Sequence, residues 1–264
     1  MNAIERDGVA IRYQIEGQSG GPALVFSNSL GTDVQVWDAI LPAFAGRFRL
    51  LRYDKRGHGL SDAPPAPYAI YDHVADLAAV ADAAGIKRAI VVGLSVGGLI
   101  AQGLAQRRPD LVGALVLCDT GHKIGTADMW NGRIETIRMS GIATLAEPIL
   151  ERWFSADFRK NRKGELAVWR NLLIRTPVEG YLGTAAAIRD ADMTEAARAI
   201  RVPTLCIGGS QDGATPPALM REMTALIPGA RLELIEGAGH LPCIESPDAV
   251  VAEMTGFFKE IGYG

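Results

Sequence analysis

A chain of 264 residues, 48% hydrophobic and 22% charged with 30 glycines, has room for one large α/β domain with a substantial buried interior, and its composition is neither disordered nor fibrous. The net charge of −3 gives no electrostatic basis for binding nucleic acid or an anionic membrane surface. Met1 to Asp7 carries no apolar core of signal-peptide length and no later stretch is apolar enough to span a bilayer, so a cytoplasmic location is expected. Cys118, Cys206 and Cys243 are widely spread with no metal-type spacing, and are expected to be free thiols with no metal bound.

Val9 to Glu16 alternates apolar and polar residues, the period of a half-exposed antiparallel strand, and Gly20-Gly21-Pro22 breaks it. Ala23 to Ser27 reads as a buried strand. Asn28 to Asp33 follows as a small-residue loop at its carboxyl end, where open α/β sheets bind ligands. Phe48 to Tyr53 is the next strand, and the charges of Asp54 to Ser61 are read as ties between loops, His58 included. Tyr71 to Ala84 places Val74, Leu77, Val80 and Ala84 at helical spacing. His73 lies one residue off that stripe and is read as a solvated surface residue.

Ala89 to Gly98 carries the chemistry. The β-branched run to Val92 predicts a buried parallel strand, Leu99 to Arg107 a helix, and Gly93-Leu94-Ser95-Val96-Gly97 the sharp turn between them. That is the setting of a G-x-S-x-G nucleophile elbow, in which the residues two before and two after the serine come too close for side chains. Ser95 is therefore the candidate nucleophile. The N–H of Val96, at the helix terminus, and that of Leu30 in the first loop are the candidate oxyanion-hole donors.

Val112 to Cys118 is another buried strand, ending in Asp119-Thr120-Gly121. From His122 to about Asp190 the strand runs stop, helical ones take over, and three of the four tryptophans occur. This predicts a helical cap over 122–190 inserted in a core of 1–121 and 191–264. The cap tilts positive, with eleven Lys and Arg against eight Asp and Glu. Strand and helix alternation resumes with Thr204 to Ile207, Ala218 to Leu226, Leu232 to Ile235 and a closing helix from Pro247.

A serine hydroxyl needs a base within reach and a third group to orient that base. His240 follows the last strand on the loop Glu236-Gly237-Ala238-Gly239, and Asp212 follows the strand before it. The order serine, acid, histidine is that of α/β-hydrolases. Asp119 is the rival acid; Asp212 is favoured because it sits in a turn that leads into the helix-opening pair Pro216-Pro217.

With these placed, the chain resembles the α/β-hydrolase superfamily over nearly its whole length, and within it the 3-oxoadipate enol-lactonases. The resemblance rests on Ser27-Asn28-Ser29-Leu30-Gly31-Thr32-Asp33, on Leu51-Arg52-Tyr53-Asp54 before Arg56-Gly57-His58-Gly59, and on Leu117-Cys118-Asp119-Thr120 followed by Lys123-Ile124-Gly125-Thr126. Trp130 to Ile134 and Arg152-Trp153-Phe154 extend it. It implies a mostly parallel eight-stranded sheet flanked by helices with an inserted cap, and a cofactor-free lactonase that opens 3-oxoadipate enol-lactone in the breakdown of aromatic compounds. Such a substrate is a small anion. Trp130 and Arg133, three apart on one helix face, are expected to wall the pocket and pair the carboxylate, with Lys123 as the second candidate cation. General carboxylesterases, carbon–carbon bond hydrolases and perhydrolases share the triad, whereas a ligand sensor would not need all three side chains.

Overall fold

The computed structural model describes residues 1–263. One sheet contains β1 (Asn2–Arg6), β2 (Val9–Gly17), β3 (Ala23–Ser27), β4 (Arg49–Tyr53), β5 (Ala89–Leu94), β6 (Val112–Cys118), β7 (Thr204–Gly209) and β8 (Arg231–Ile235), in the order β1-β2-β4-β3-β5-β6-β7-β8. The pairings β1–β2 and β2–β4 are antiparallel and all others are parallel. β5 and β6 are buried at every residue and read as continuous apolar runs, whereas β2 alternates because one face is partly open. β1 has no sequence signature of its own. Its residues are mostly exposed, and backbone pairing to β2 holds it at the sheet edge.

Helices α1 (Pro42–Ala45), α2 (Ile70–Ala83) and α3 (Val96–Arg107) lie between successive strands as far as β6. Six helices separate β6 from β7: α4 (Ala127–Ser140), α5 (Ala146–Trp153), α6 (Ala156–Asn161), α7 (Lys163–Ile174), α8 (Val178–Asp190) and α9 (Thr194–Ala199). α10 (Pro217–Leu226) joins β7 to β8, and α11 (Pro242–Glu245) and α12 (Pro247–Glu260) close the chain.

Two contacts fix the loop after β4. Asp76 on α2 is fully buried and accepts from Arg56 Nε at 2.6 Å, Arg56 Nη2 at 2.7 Å and Arg6 Nη1 at 2.9 Å, the pairing that makes a buried carboxylate tolerable. At Gly57 and Gly180 the loop and the first turn of α8 meet backbone to backbone. A Cβ on Gly180 would lie 1.9 Å from the Gly57 oxygen.

The same packing corrects the reading of His73. It is fully buried, edge-on to Tyr68 with ring centroids 5.8 Å apart, and its Nε2 lies 3.3 Å from Thr184 Oγ1 on α8. Helical periodicity identified the stripe of α2 that faces the sheet, but α8 covers a second stripe.

Gly180→Ala should destabilise the fold by about 1–3 kcal/mol or more through overpacking. Gly132→Ala, on α4 with nothing within 4 Å of the added Cβ, should stabilise it by roughly 0.5–1 kcal/mol. Urea unfolding of the two variants beside the wild type checks both signs.

Candidate active site

Ser95 joins β5 to α3 with φ +59° and ψ −118°. Such a backbone costs on the order of 1–3 kcal/mol in a non-glycine residue and persists only where its surroundings enforce it. Here its N–H donates to the Cys118 carbonyl of β6 at 2.9 Å, while its own carbonyl accepts from the Gly98 N–H at 2.8 Å and the Thr120 hydroxyl at 2.6 Å. Glycines provide the space: a Cβ on Gly93 would sit 2.3 Å from the Gly97 oxygen, and one on Gly97 would sit 1.9 Å from the Ser27 oxygen at the end of β3. The elbow motif anticipates both. Gly98 and Thr120 it does not anticipate; a Cβ on Gly98 would be 2.5 Å from the Thr120 side chain, a demand made by the neighbouring strand.

The loops after β7 and β8 bring Asp212 and His240 together. His240 Nδ1 is 2.8 Å from Asp212 Oδ2, and both residues are buried. Asp212 Oδ1 accepts from the N–H groups of Ala214 and Thr215 at 2.6 and 3.0 Å, and Oδ2 also accepts from the Thr215 hydroxyl at 2.7 Å. Burial pushes the Asp212 carboxyl up, but His240 and these hydrogen bonds outweigh it and hold the group below the ordinary carboxylate range. Asp119, the rival acid, accepts instead from the Gly209 N–H at 2.7 Å. Burial, followed by the charge of Asp212, raises Asp119 well above the usual range, so it is kept as a neutral acid. Asp119, Asp212 and His240 offer ligand atoms within 4.8 Å of one another, but both oxygens of Asp212 already accept two hydrogen bonds each, leaving no lone pair for a cation.

Leu30 lies on the loop after β3, which is held from beneath. The Gly31 N–H donates to His58 Nε2 at 3.0 Å, and His58 Nδ1 faces the Arg56 carbonyl at 3.2 Å. Accepting through Nε2 requires a neutral ring, in line with burial and the charge of Lys55 lowering His58 well below its usual value. His58 thus serves the loop-tying role read from the sequence.

Ser95, His240 and Leu30 line one cavity together with Ser29, Trp130, Arg133, Arg152, Trp153, Tyr181 and Thr215. Val96 is fully buried at the first position of α3, directly after the serine. Trp130 and Arg133 enter the cavity from α4 as their spacing predicts, the guanidinium 4.9 Å from the indole centre. Lys123 is elsewhere: its exposed side chain is 3.3 Å from Asp192, outside the cavity lining. The second cavity cation is Arg152, from α5, which sequence reasoning missed in this role because it lies far along the chain from Arg133. Among the described residues, the cavity lining contains these two arginines and no carboxylate.

The segment that carries Arg152 also holds the two loops. Arg152 Nε donates to the Gly213 carbonyl at 3.0 Å, the His240 N–H donates to the Trp153 carbonyl at 2.8 Å, and Glu245 accepts from the Gly239 N–H at 2.8 Å and the Ser155 hydroxyl at 2.5 Å. Residues 152–155 therefore run between the acid turn and the histidine loop.

A model of the alpha/beta hydrolase family matches residues 24–253. The chain belongs to the alpha/beta hydrolase family. It is 34% identical over 248 residues to 3-oxoadipate enol-lactonase 2 of Acinetobacter baylyi, covering 94% of this chain and 92% of that one. To 3-oxoadipate enol-lactonase 1 of the same organism it is 34% identical over 97% of this chain and 96% of the relative. The crystal structure of the enol-lactonase from Burkholderia xenovorans LB400 superposes with a TM-score of 0.94 at 38% identity, covering 98% of this chain and 100% of the other. The eight-stranded, mostly parallel sheet is the fold of this hydrolase family.

Asp119 gives a pH signature. Above the ordinary carboxylate range the unfolded chain has released this proton while the native state retains it, so stability falls as pH rises toward the elevated native value. Asp119→Asn, which keeps an oxygen for the Gly209 N–H, should flatten the decline in urea stability as pH rises above the ordinary carboxylate range.

Proposed function

We propose that this chain is a serine hydrolase that opens a small anionic enol-lactone, 3-oxoadipate enol-lactone, to 3-oxoadipate. The observation that carries this reading is the cavity in which Ser95 and His240 face Arg133 and Arg152 with no carboxylate in the lining. The names of the relatives in Acinetobacter and Burkholderia support the same substrate class.

The proposed chemistry uses the residues that line this cavity. Ser95 Oγ adds to the lactone carbonyl carbon as its proton passes to His240, whose other nitrogen is held by Asp212. The carbonyl oxygen becomes an anion facing the N–H groups of Leu30 and Val96. The bond from the carbonyl carbon to the ring oxygen then breaks, and His240 returns its proton to that oxygen. An enol is a better leaving group than an alcohol, but it stays tethered and could close the ring again. Its conversion to the ketone removes that nucleophile, and a water deprotonated by His240 then releases the acid and restores Ser95. Hydrolysis creates a second carboxylate on the product, so two cations suit its charge better than one.

A free carboxylate cannot enter a water-poor cavity without a partner, and each guanidinium offers planar bidentate donors for it. Burial and then the charge of Arg133 pull Arg152 below its ordinary value, with Asp212 opposing, so the two arginines repel one another until an anion lies between them. The helical segment 122–190, which supplies both, is proposed as the cap of the site, and the protein is proposed to work in the cytoplasm without a cofactor. No helix among the described residues is long and apolar enough to cross a membrane.

Ser95→Ala should reduce hydrolysis of the enol-lactone by on the order of a millionfold, and Asp212→Asn by about ten thousandfold, whereas Asp119→Asn should stay within about threefold of wild type. Arg133→Ala should raise KM for the anionic lactone at least about tenfold and spare p-nitrophenyl acetate, whereas Arg152→Ala, which also removes the bond to the Gly213 carbonyl beside Asp212, should slow both substrates and cost more on the lactone. Steady-state assays on the two substrates decide it; equal losses on both would remove the carboxylate-binding role.

A further inference from the structure

Lys55 is fully buried at the start of the loop after β4, with Nζ 2.5 Å from the Ser29 carbonyl oxygen and 3.3 Å from that of Thr32. The Ser29 carbonyl and the Leu30 N–H are two ends of one conjugated peptide unit, so drawing electron density onto that oxygen makes the N–H a stronger donor. Loop closure does not require a cation for this purpose. The same oxygen already accepts from the Thr32 N–H at 3.3 Å and the Thr32 hydroxyl at 3.0 Å. The nearest carboxylates are otherwise engaged, Asp33 by Gln35 and Asp54 by Arg12 and the N–H groups of Val34 and Leu60. A buried ammonium aimed at two carbonyls costs several kcal/mol of desolvation, which the charges of Asp54 and Asp33 oppose.

We propose that Lys55 is a positioning residue of the oxyanion hole, its buried ammonium polarising the Ser29–Leu30 peptide so that the Leu30 N–H holds the developing oxyanion more strongly than an ordinary amide would. The proposal rests on the reading of Ser95 as nucleophile and Leu30 as donor, but not on the identity of the lactone. The charge has a pH limit. Burial lowers Lys55 to about 7 against the pull of Asp54 and Asp33, and the two imidazoles that feel its charge, His58 on the same loop and His73 on α2, are both held neutral by burial. Below that value the polarising charge is present. Above it the amine still bonds the Ser29 oxygen but no longer carries the charge.

A trifluoromethyl ketone reports on the hole directly: Ser95 oxygen adds to its carbonyl carbon, the proton passes to His240 and the ketone oxygen becomes the anion. Adipate, offered as a dicarboxylate to Arg133 and Arg152 in the same cavity, has no electrophilic carbonyl and forms no such anion. At about pH 6.5, Lys55→Met should weaken ketone inhibition roughly tenfold and leave adipate binding within about twofold, with kcat on p-nitrophenyl acetate falling in parallel and KM unchanged. Raising the pH to about 8.5 should narrow the difference between variant and wild type. Ketone affinity unchanged in the folded variant, or ketone and adipate weakened alike, overturns the proposal. If the variant does not fold, the Leu30 amide proton of the wild type is followed by NMR from about pH 6 to about pH 9. A shift titrating with the lysine supports the proposal and a flat shift overturns it. A wild type that forms no ketone adduct overturns the serine-hydrolase reading as well, and so is distinct from failure of Lys55 alone.

Discussion

The positive φ of Ser95 is the constraint from which the centre of the molecule is built. A serine lifted out of the sheet at the end of β5 brings backbone to within 3 Å of where side-chain carbons at 93 and 97 would otherwise be and so requires glycine there, and the Thr120 side chain requires it at 98. It also requires partners on both adjoining strands, Cys118 closing β6 with Thr120 just beyond it, and Ser27 closing β3. The strain is local, but its support comes from three strands, which is why an all-buried parallel centre is needed beneath it.

Residues 152–155 tie the inserted helices to the loops beside the site. One face of this segment bonds the turn of Asp212 and another the loop of His240, while Glu245 reaches back to Ser155 from beyond the histidine. Any displacement of α5 must therefore move or break the hydrogen bonds that hold the acid and the imidazole. The helix that supplies Arg152 and the loops that hold the proposed proton-transfer pair form one hydrogen-bonded unit.

Charge is layered around the cavity. The two guanidiniums face the open space, the ionised Asp212 lies behind the imidazole, and the neutral Asp119 lies behind that. Beneath the loop of Leu30 the buried Lys55 amine reaches the carbonyls of Ser29 and Thr32, and the imidazoles of His58 and His73, which feel its charge, are held neutral by burial. Burial pushes both carboxyls up; at Asp119 the charge of Asp212 adds to it, and at Asp212 the imidazole and the hydrogen bonds of Thr215 and Ala214 outweigh it.

The sequence by itself determined the elbow, the strands of the buried centre, the order of serine, acid and histidine, and the helical character of 122–190, because each is written in local spacing: glycines at fixed offsets, continuous apolar runs, periods of two and 3.6. It left β1 unread because an exposed edge strand is held by backbone pairing and has no apolar face to display. Only the tertiary structure decided which acid meets the imidazole, that His73 is buried under α8, that Lys123 points to Asp192 outside the cavity, and that Arg152 on the following helix lines the same cavity as Arg133. Those outcomes depend on which elements pack against one another across long stretches of chain. Periodicity records that a residue has a buried face, and packing alone says what lies on the other side of it.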